Sequence, residues 1–143
     1  DKALASFVIA NGAAAAGKKV TLFFTFWGLN IIKKQNKPAV EKDLMGKMFG
    51  WMLPSSSEKL KLSKMNMGGM GSKMMRMIMK QKRIDSLESL IQQAIDNGVE
   101  MIACTMSMDV MGVKQEELLD HVKLGGVATY LERAEEANLN LFI

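Results

Sequence analysis

Apolar residues follow two rhythms along this chain, one helical and one strand-like, and their alternation points to an α/β architecture. Asp1 to Ala16 carries Leu4, Phe7 and Val8 on one side of a helix, with Asp1 as cap and Gly17 as stop. Its Ala-rich second half suits close approach to a sheet. Lys19 to Phe26 (KVTLFFTF) is β-branched and aromatic without polar alternation, the pattern of a strand covered on both faces. Asp85 and Glu88 read as a D-x-x-E capping box, followed by a helical stripe (Leu87, Leu90, Ile91, Ala94, Ile95) that Gly98 closes. Val99 to Cys104 (VEMIAC) is the next strand. Beyond it come a turn or short helix around Ser107 to Met111, a polar helix Lys114 to Leu119, and a strand near Val122 to Leu124. A Gly125-Gly126 turn, a helix from about Val127 to Ala137 and a final apolar strand, Leu139 to Ile143, complete the pattern. The fold class expected is α/β and doubly wound, a mainly parallel sheet flanked by helices in the flavodoxin or Rossmann manner. Such folds place a strand first, whereas this chain opens on a helix and without methionine, so residues upstream of Asp1 are expected.

One stretch breaks the alternation. Ten of the 14 methionines lie between Met45 and Met79, in a segment interrupted by Pro54, Ser55-Ser56-Ser57 and Gly68-Gly69. It is too long for an ordinary loop and too apolar for a linker. It reads as a helical insertion at about 35–84 in a single domain spanning 1–143. Lys42 to Leu53 and Ser72 to Lys80 show helical spacing (Leu44, Met45, Met48, Met52; Met74, Met75, Ile78, Met79) with lysines between. Three readings stand: flexible core packing, since Met fills irregular gaps; an adaptable surface that binds a partner, packs in an oligomer or touches a membrane; and a copper(I) site at Met65, Met67 and Met70, since thioethers suit soft metals. The third rests on a weak motif, and no metal is assigned.

Size and charge narrow the picture. A chain of 143 residues fits one domain and buries roughly two-thirds of its unfolded surface without a disulfide or metal. One cysteine and one histidine provide neither an internal disulfide nor a zinc site, which suits a reducing, cytoplasmic compartment. The longest apolar run, Val20 to Ile32, is short of the roughly 20 residues that a spanning helix requires. The net charge of +4 is uneven: Lys33 to Arg83 holds 13 Lys and Arg against Glu41, Asp43 and Glu58, and the remainder is acidic. That basic middle is either a solvated excursion or a docking surface for an acidic protein, an anionic small molecule or a membrane face. Nucleic acid is not expected, because no nucleic-acid-binding motif accompanies it.

The candidate chemistry centres on Cys104, where a buried strand ends and a helix begins. Ligands collect at the carboxyl ends of strands in open α/β sheets, and free backbone N–H groups stabilise anions there. A cysteine so placed can have its pKa lowered from about 8.5 toward roughly 3.5–7.5, whereas one in apolar surroundings is inert. The residues alone leave both readings open. Thr105, Met106 and Ser107 offer backbone N–H groups to the sulfur, and Thr105 and Ser107 also offer hydroxyls. Asp109 would work against a low pKa if it faced the thiol; Ser107 and Asp109 are equally helix-capping candidates. Trp27 and Gly28 close the earlier strand and would line the same crevice. His121 reads as a surface or edge residue.

Ile102 to Gly112 (IACTMSMDVMG), Phe23 to Asn30 (FFTFWGLN), Lys61 to Gly71 (KLSKMNMGGMG) and the end GGVATYLERAEEANLNLFI resemble the DsrE/DsrF-like sulfur-relay family, in particular its branch with a Met-rich insertion. The resemblance runs over nearly the whole chain. It implies that Cys104 accepts sulfane sulfur as a persulfide and passes it to a partner thiol, often to or from a small TusA-like carrier. It also implies a homo-oligomer, a trimer or hexamer, and no cofactor. With no second cysteine, an internal resolving step is excluded. The competing function is a non-enzymatic interaction module in which the basic, Met-rich insertion binds a partner or membrane surface while Cys104 is merely packed. A nucleotide- or flavin-binding domain is disfavoured, since no G-x-G-x-x-G follows a strand and Met67-Gly68-Gly69-Met70-Gly71 lies in the insertion.

Overall fold

Three of the apolar runs pair into one parallel sheet. In the computed structural model, which describes residues 1–35, 47–48, 51–62, 64 and 66–143, β1 (Thr21–Phe24), β2 (Glu100–Cys104) and β3 (Val122–Gly125) lie side by side in that order. Phe23 is in register with Ile102, and Cys104 with Gly125. The helices are α1 (Lys2–Ala15), α2 (Met70–Gln81), α3 (Leu87–Asp96), α4 (Thr105–Met111) and α5 (Val127–Glu136), joined by 3-10 segments at Phe26–Ile32, Ser57–Lys59, Met67–Gly69 and Gln115–Glu117. The expected α/β class is what the chain adopts.

Strand alternation sorts the sheet's residues between two faces. Phe24, Met101, Ala103 and Val122 point into the main core with Phe7 and Ala10 of α1, Leu90, Ile91 and Ala94 of α3, and Met108, Met111, Val113 and Leu118 after β2. Phe7 stacks on Phe24, ring centroids 6.2 Å apart, and Asn11 Nδ2 donates to the Leu90 carbonyl at 2.9 Å, tying α1 to α3. On the other face, Phe23, Ile102, Cys104 and Gly125 lie towards α5. Tyr130 of α5 sits 5.3 Å from Phe23, and Arg133 Nε donates to Glu100 Oε2 at 2.9 Å. Gly125 allows this close approach: a Cβ there would meet the Ile102 side chain at 2.8 Å and that of Thr129 at 3.2 Å.

Several elements differ from the sequence expectation. The first strand is shorter than Lys19 to Phe26, because Phe26 takes φ 42° and starts a 3-10 helix; only Phe24 of β1 is fully buried. Ser86, not Asp85, caps α3, its hydroxyl accepting the Ser89 N–H at 3.2 Å, while Asp85 accepts from Gln93 Nε2. Lys114 to Leu119 is a 3-10 turn rather than a helix. Leu139 to Ile143 is not a strand. Asn140 Nδ2 bonds back to the Ala134 carbonyl at 3.1 Å, and the segment pairs with no strand among the described residues. The helix expected over Lys42 to Leu53 lies largely outside the described residues, as does Met65 of the copper(I) reading. Met67 and Met70 are solvent-exposed. No described helix is long and apolar enough to cross a membrane.

Candidate functional site

The apolar run of β2 ends at Cys104, which is also the N-cap of α4. Ile102 and Cys104 are turned away from the aliphatic core that Met101 and Ala103 enter, and both line an open groove of about 1810 Å³ bordered by β1, α1, α2 and α5. Cys104 is only 2% exposed, so its sulfur lies at the groove's floor rather than on an open surface.

Two opposed effects set the state of this thiol. Burial pushes its pKa up, and hydrogen bonds push it down: from the Ser107 hydroxyl, the Ser107 and Met106 backbone N–H groups, and the Thr25 hydroxyl. The donors prevail and the pKa is lowered from the ordinary thiol value. The N–H groups are available because the first turn of a helix has no intrahelical acceptors for them. Thr25 follows the last residue of β1 and is brought opposite Cys104 by the parallel register; its Oγ1 lies 2.7 Å from Ser107 Oγ.

The structure brings together some of the residues that the sequence nominates. Met106, Trp27 and Gly28 line the groove with Cys104; Trp27, 64% exposed, stands on its rim. Ser107 is fully buried and acts on the thiol without lining the groove. Thr105 departs from expectation: its hydroxyl bonds to the Gly125 carbonyl at 3.4 Å, tying α4 to β3. Asp109 is exposed on α4 and is not among the groups acting on the thiol. His121 is exposed before β3 and outside the groove. No group of three or more His, Cys, Asp or Glu residues is placed to hold a metal ion among the described residues.

The DsrE/DsrF/DrsH-like family model matches residues 1–142. This chain belongs to that family. Across its whole length it is 49% identical to the uncharacterized protein YrkE of Bacillus subtilis (strain 168), covering 89% of that protein. It is 37% identical to a protein of Allochromatium vinosum named sulfur carrier protein DsrE2, again over the whole chain and 91% of the relative. For a DsrE/DsrF/DrsH-like chain the residue that sequence reasoning missed is Thr25. Its signal was present: a polar residue within the otherwise apolar FFTF run, where a parallel neighbour would face Cys104.

Proposed function

We propose that this protein is a sulfur carrier, a sulfurtransferase component that takes sulfane sulfur onto Cys104 as a persulfide and passes it to a partner thiol. The observation that carries the reading is the Cys104 thiol itself. It sits at the carboxyl end of a parallel strand, lines a groove, and is surrounded by hydroxyl and N–H donors that favour its anion. The family and the sulfur-carrier relative supply the chemical context.

The transfer needs no cofactor and no outside oxidant. The Cys104 thiolate attacks the outer sulfur of a donor persulfide, a new S–S bond forms, and the donor's S–S bond breaks with its electron pair leaving on the donor thiolate. Delivery is the same exchange with the acceptor thiolate attacking. Because the chain holds one cysteine, the second thiol belongs to another protein, and a TusA-like carrier suits that role. Assembly as a trimer or hexamer in a cytoplasmic setting completes the reading.

Exposure to a low-molecular-weight persulfide followed by mass spectrometry tests it. Wild type should gain the mass of one sulfur atom, and Cys104→Ser should fold but gain none, since serine's hydroxyl stays protonated at neutral pH. Equal labelling of both proteins would refute the assignment.

A second reading has one observation in its favour. The α2 face leaves Met70, Met74, Met77 and Ile78 exposed beside Lys73, Arg76 and Lys80, an apolar and basic surface suited to a partner or membrane. In that interaction module Cys104 would be packing alone and would resist alkylation until unfolding.

A further inference from the structure

Ser107 is fully buried, and besides the thiol its hydroxyl meets that of Thr25, 82 residues away in sequence. Resting on the reading of Cys104 as a sulfur-bearing thiol, we propose that Thr25 is a positioning residue: by pairing with Ser107 it fixes the order of two hydroxyl protons so that one of them points at the sulfur.

Each hydroxyl carries one proton and two lone pairs. In the 2.7 Å contact between Thr25 and Ser107, one proton lies between the oxygens, and the other remains for a third acceptor. The sulfur of Cys104 is that acceptor: Thr25 comes opposite Cys104 in the register of β1 on β2, Ser107 stands in the first turn of the helix that Cys104 caps, and both hydroxyls act on the thiol. Against an anionic sulfur, the chain runs from one hydroxyl to the other and on to the sulfur, each bond polarising the next. Against a neutral thiol that alignment has little to act on, so the pair favours the thiolate and, after loading, the persulfide anion.

The local backbone supports the assignment. The Thr25 carbonyl accepts the Gly28 N–H at 2.9 Å, and Phe26, immediately after it, adopts φ 42°, uncommon for a bulky residue. Together they hold Thr25 at the point where the chain leaves the sheet. Among the described residues no formal charge does this work. On the same face, Lys123 of β3 and Arg133 of α5 both donate to Glu100 of β2 at the other end of the strand, about 13 Å along β2 from Cys104. Asp109 of α4 is exposed.

The test is the rate of Cys104 alkylation by iodoacetamide from pH 5 to 10 in wild type, Thr25→Val and Thr25→Ser. Valine matches threonine in shape and removes only the hydroxyl. The expected result is a rate about 3–10-fold lower for Thr25→Val below the titration midpoint, the loss of one hydrogen bond's net contribution. The midpoint should move upward, the limiting rate at high pH should be unchanged, and Thr25→Ser should follow wild type. A profile that superimposes on wild type overturns the proposal, and so does slowing by the same factor at every pH, which marks a packing role. If Thr25→Val does not fold, Ser107→Ala replaces it: an upward midpoint supports the pair, and an unchanged one overturns it. Persulfide loading of wild type, measured alongside, separates the two levels. Wild type that alkylates but never loads refutes the carrier reading itself, whereas wild type that loads while Thr25→Val keeps the wild-type profile refutes only the role of Thr25.

Discussion

The molecule's sulfur-bearing side chains fall into two regions built on opposite plans. In β2 and the helix after it, Met101, Cys104, Met108 and Met111 are buried, held by strand pairing and by α1, α3 and α4, and Met106 alone of that stretch's sulfur side chains is exposed, on the groove beside Cys104. On α2, Met70, Met74 and Met77 face solvent, and only Met79 of that helix's methionines is buried. Sulfur alone therefore says nothing about role. In the first region the surroundings restrict access and orient donors, which makes one thiol chemically distinct. In the second, flexible thioethers and cationic side chains form a surface that can adapt to something else.

The sharpest way to break the contrast is to damage the packing that supports only the first region. Phe7 is fully buried and stacks on Phe24, the last residue of β1 and the one before Thr25. Phe7→Ala should lower stability by about 3–5 kcal/mol, read as a fall in the urea midpoint with little change in slope. The cavity lies against the last residue of the strand that Thr25 follows, so Cys104 alkylation should lose its pH profile before the protein unfolds. A loss below about 1 kcal/mol would mean that α1 does not anchor the sheet.

The sequence was legible where local chemistry and global packing agree. VEMIAC is bounded by Gly98 and by a helix start, and its role as an interior strand followed from composition alone. The helices at Lys2–Ala15 and Leu87–Asp96 were also visible in the apolar stripes and glycine stops, and that at Val127–Glu136 after the Gly125-Gly126 turn. Legibility failed where a partner decides the outcome. Leu139 to Ile143 has strand composition, yet a strand exists only beside another strand, and Asn140 takes the α5 carboxyl end instead. Thr25 was half legible for the same reason: the polar break in FFTF is visible in the sequence, but its meaning lies in Ser107, and only the register of β1 on β2 brings them together.

A smaller effect sharpens the contrast by testing the sheet's other end. The Arg133 guanidinium, then Lys123, hold the Glu100 carboxyl down to about 2, against the cost of burial. A carboxyl with a folded pKa below its unfolded value contributes stability above the unfolded value, near 4.5, and loses it as pH falls toward 2. Glu100→Gln should therefore destabilise by about 1 kcal/mol at pH 7, after allowing for solvent screening. Relative to wild type, that difference should shrink between pH 4.5 and 2 and vanish below it. Chemical denaturation at pH 7, 4 and 2 checks this; a difference independent of pH would assign Glu100 a packing role only. Cys104 alkylation should be unaffected, since Glu100 lies four residues away on the strand.

The smallest effect belongs to the second region and is informative for being small. Met77 is 66% exposed on α2, so replacing it by Ser removes little buried surface and leaves no cavity. Its stability change should stay within about 0.5 kcal/mol of wild type, as for surface positions generally. Denaturation alone would then call Met77 dispensable, but an adaptable apolar surface acts through contact with another molecule and not through the fold. Light scattering across a wide concentration range supplies the missing readout. If Met77→Ser keeps wild-type stability but weakens self-association, the α2 face is part of the assembly. If association is unchanged, that face is free for another partner. A stability loss above about 2 kcal/mol would instead show that Met77 is packed against the fold, and the division between a buried reactive region and an exposed adaptable one would collapse.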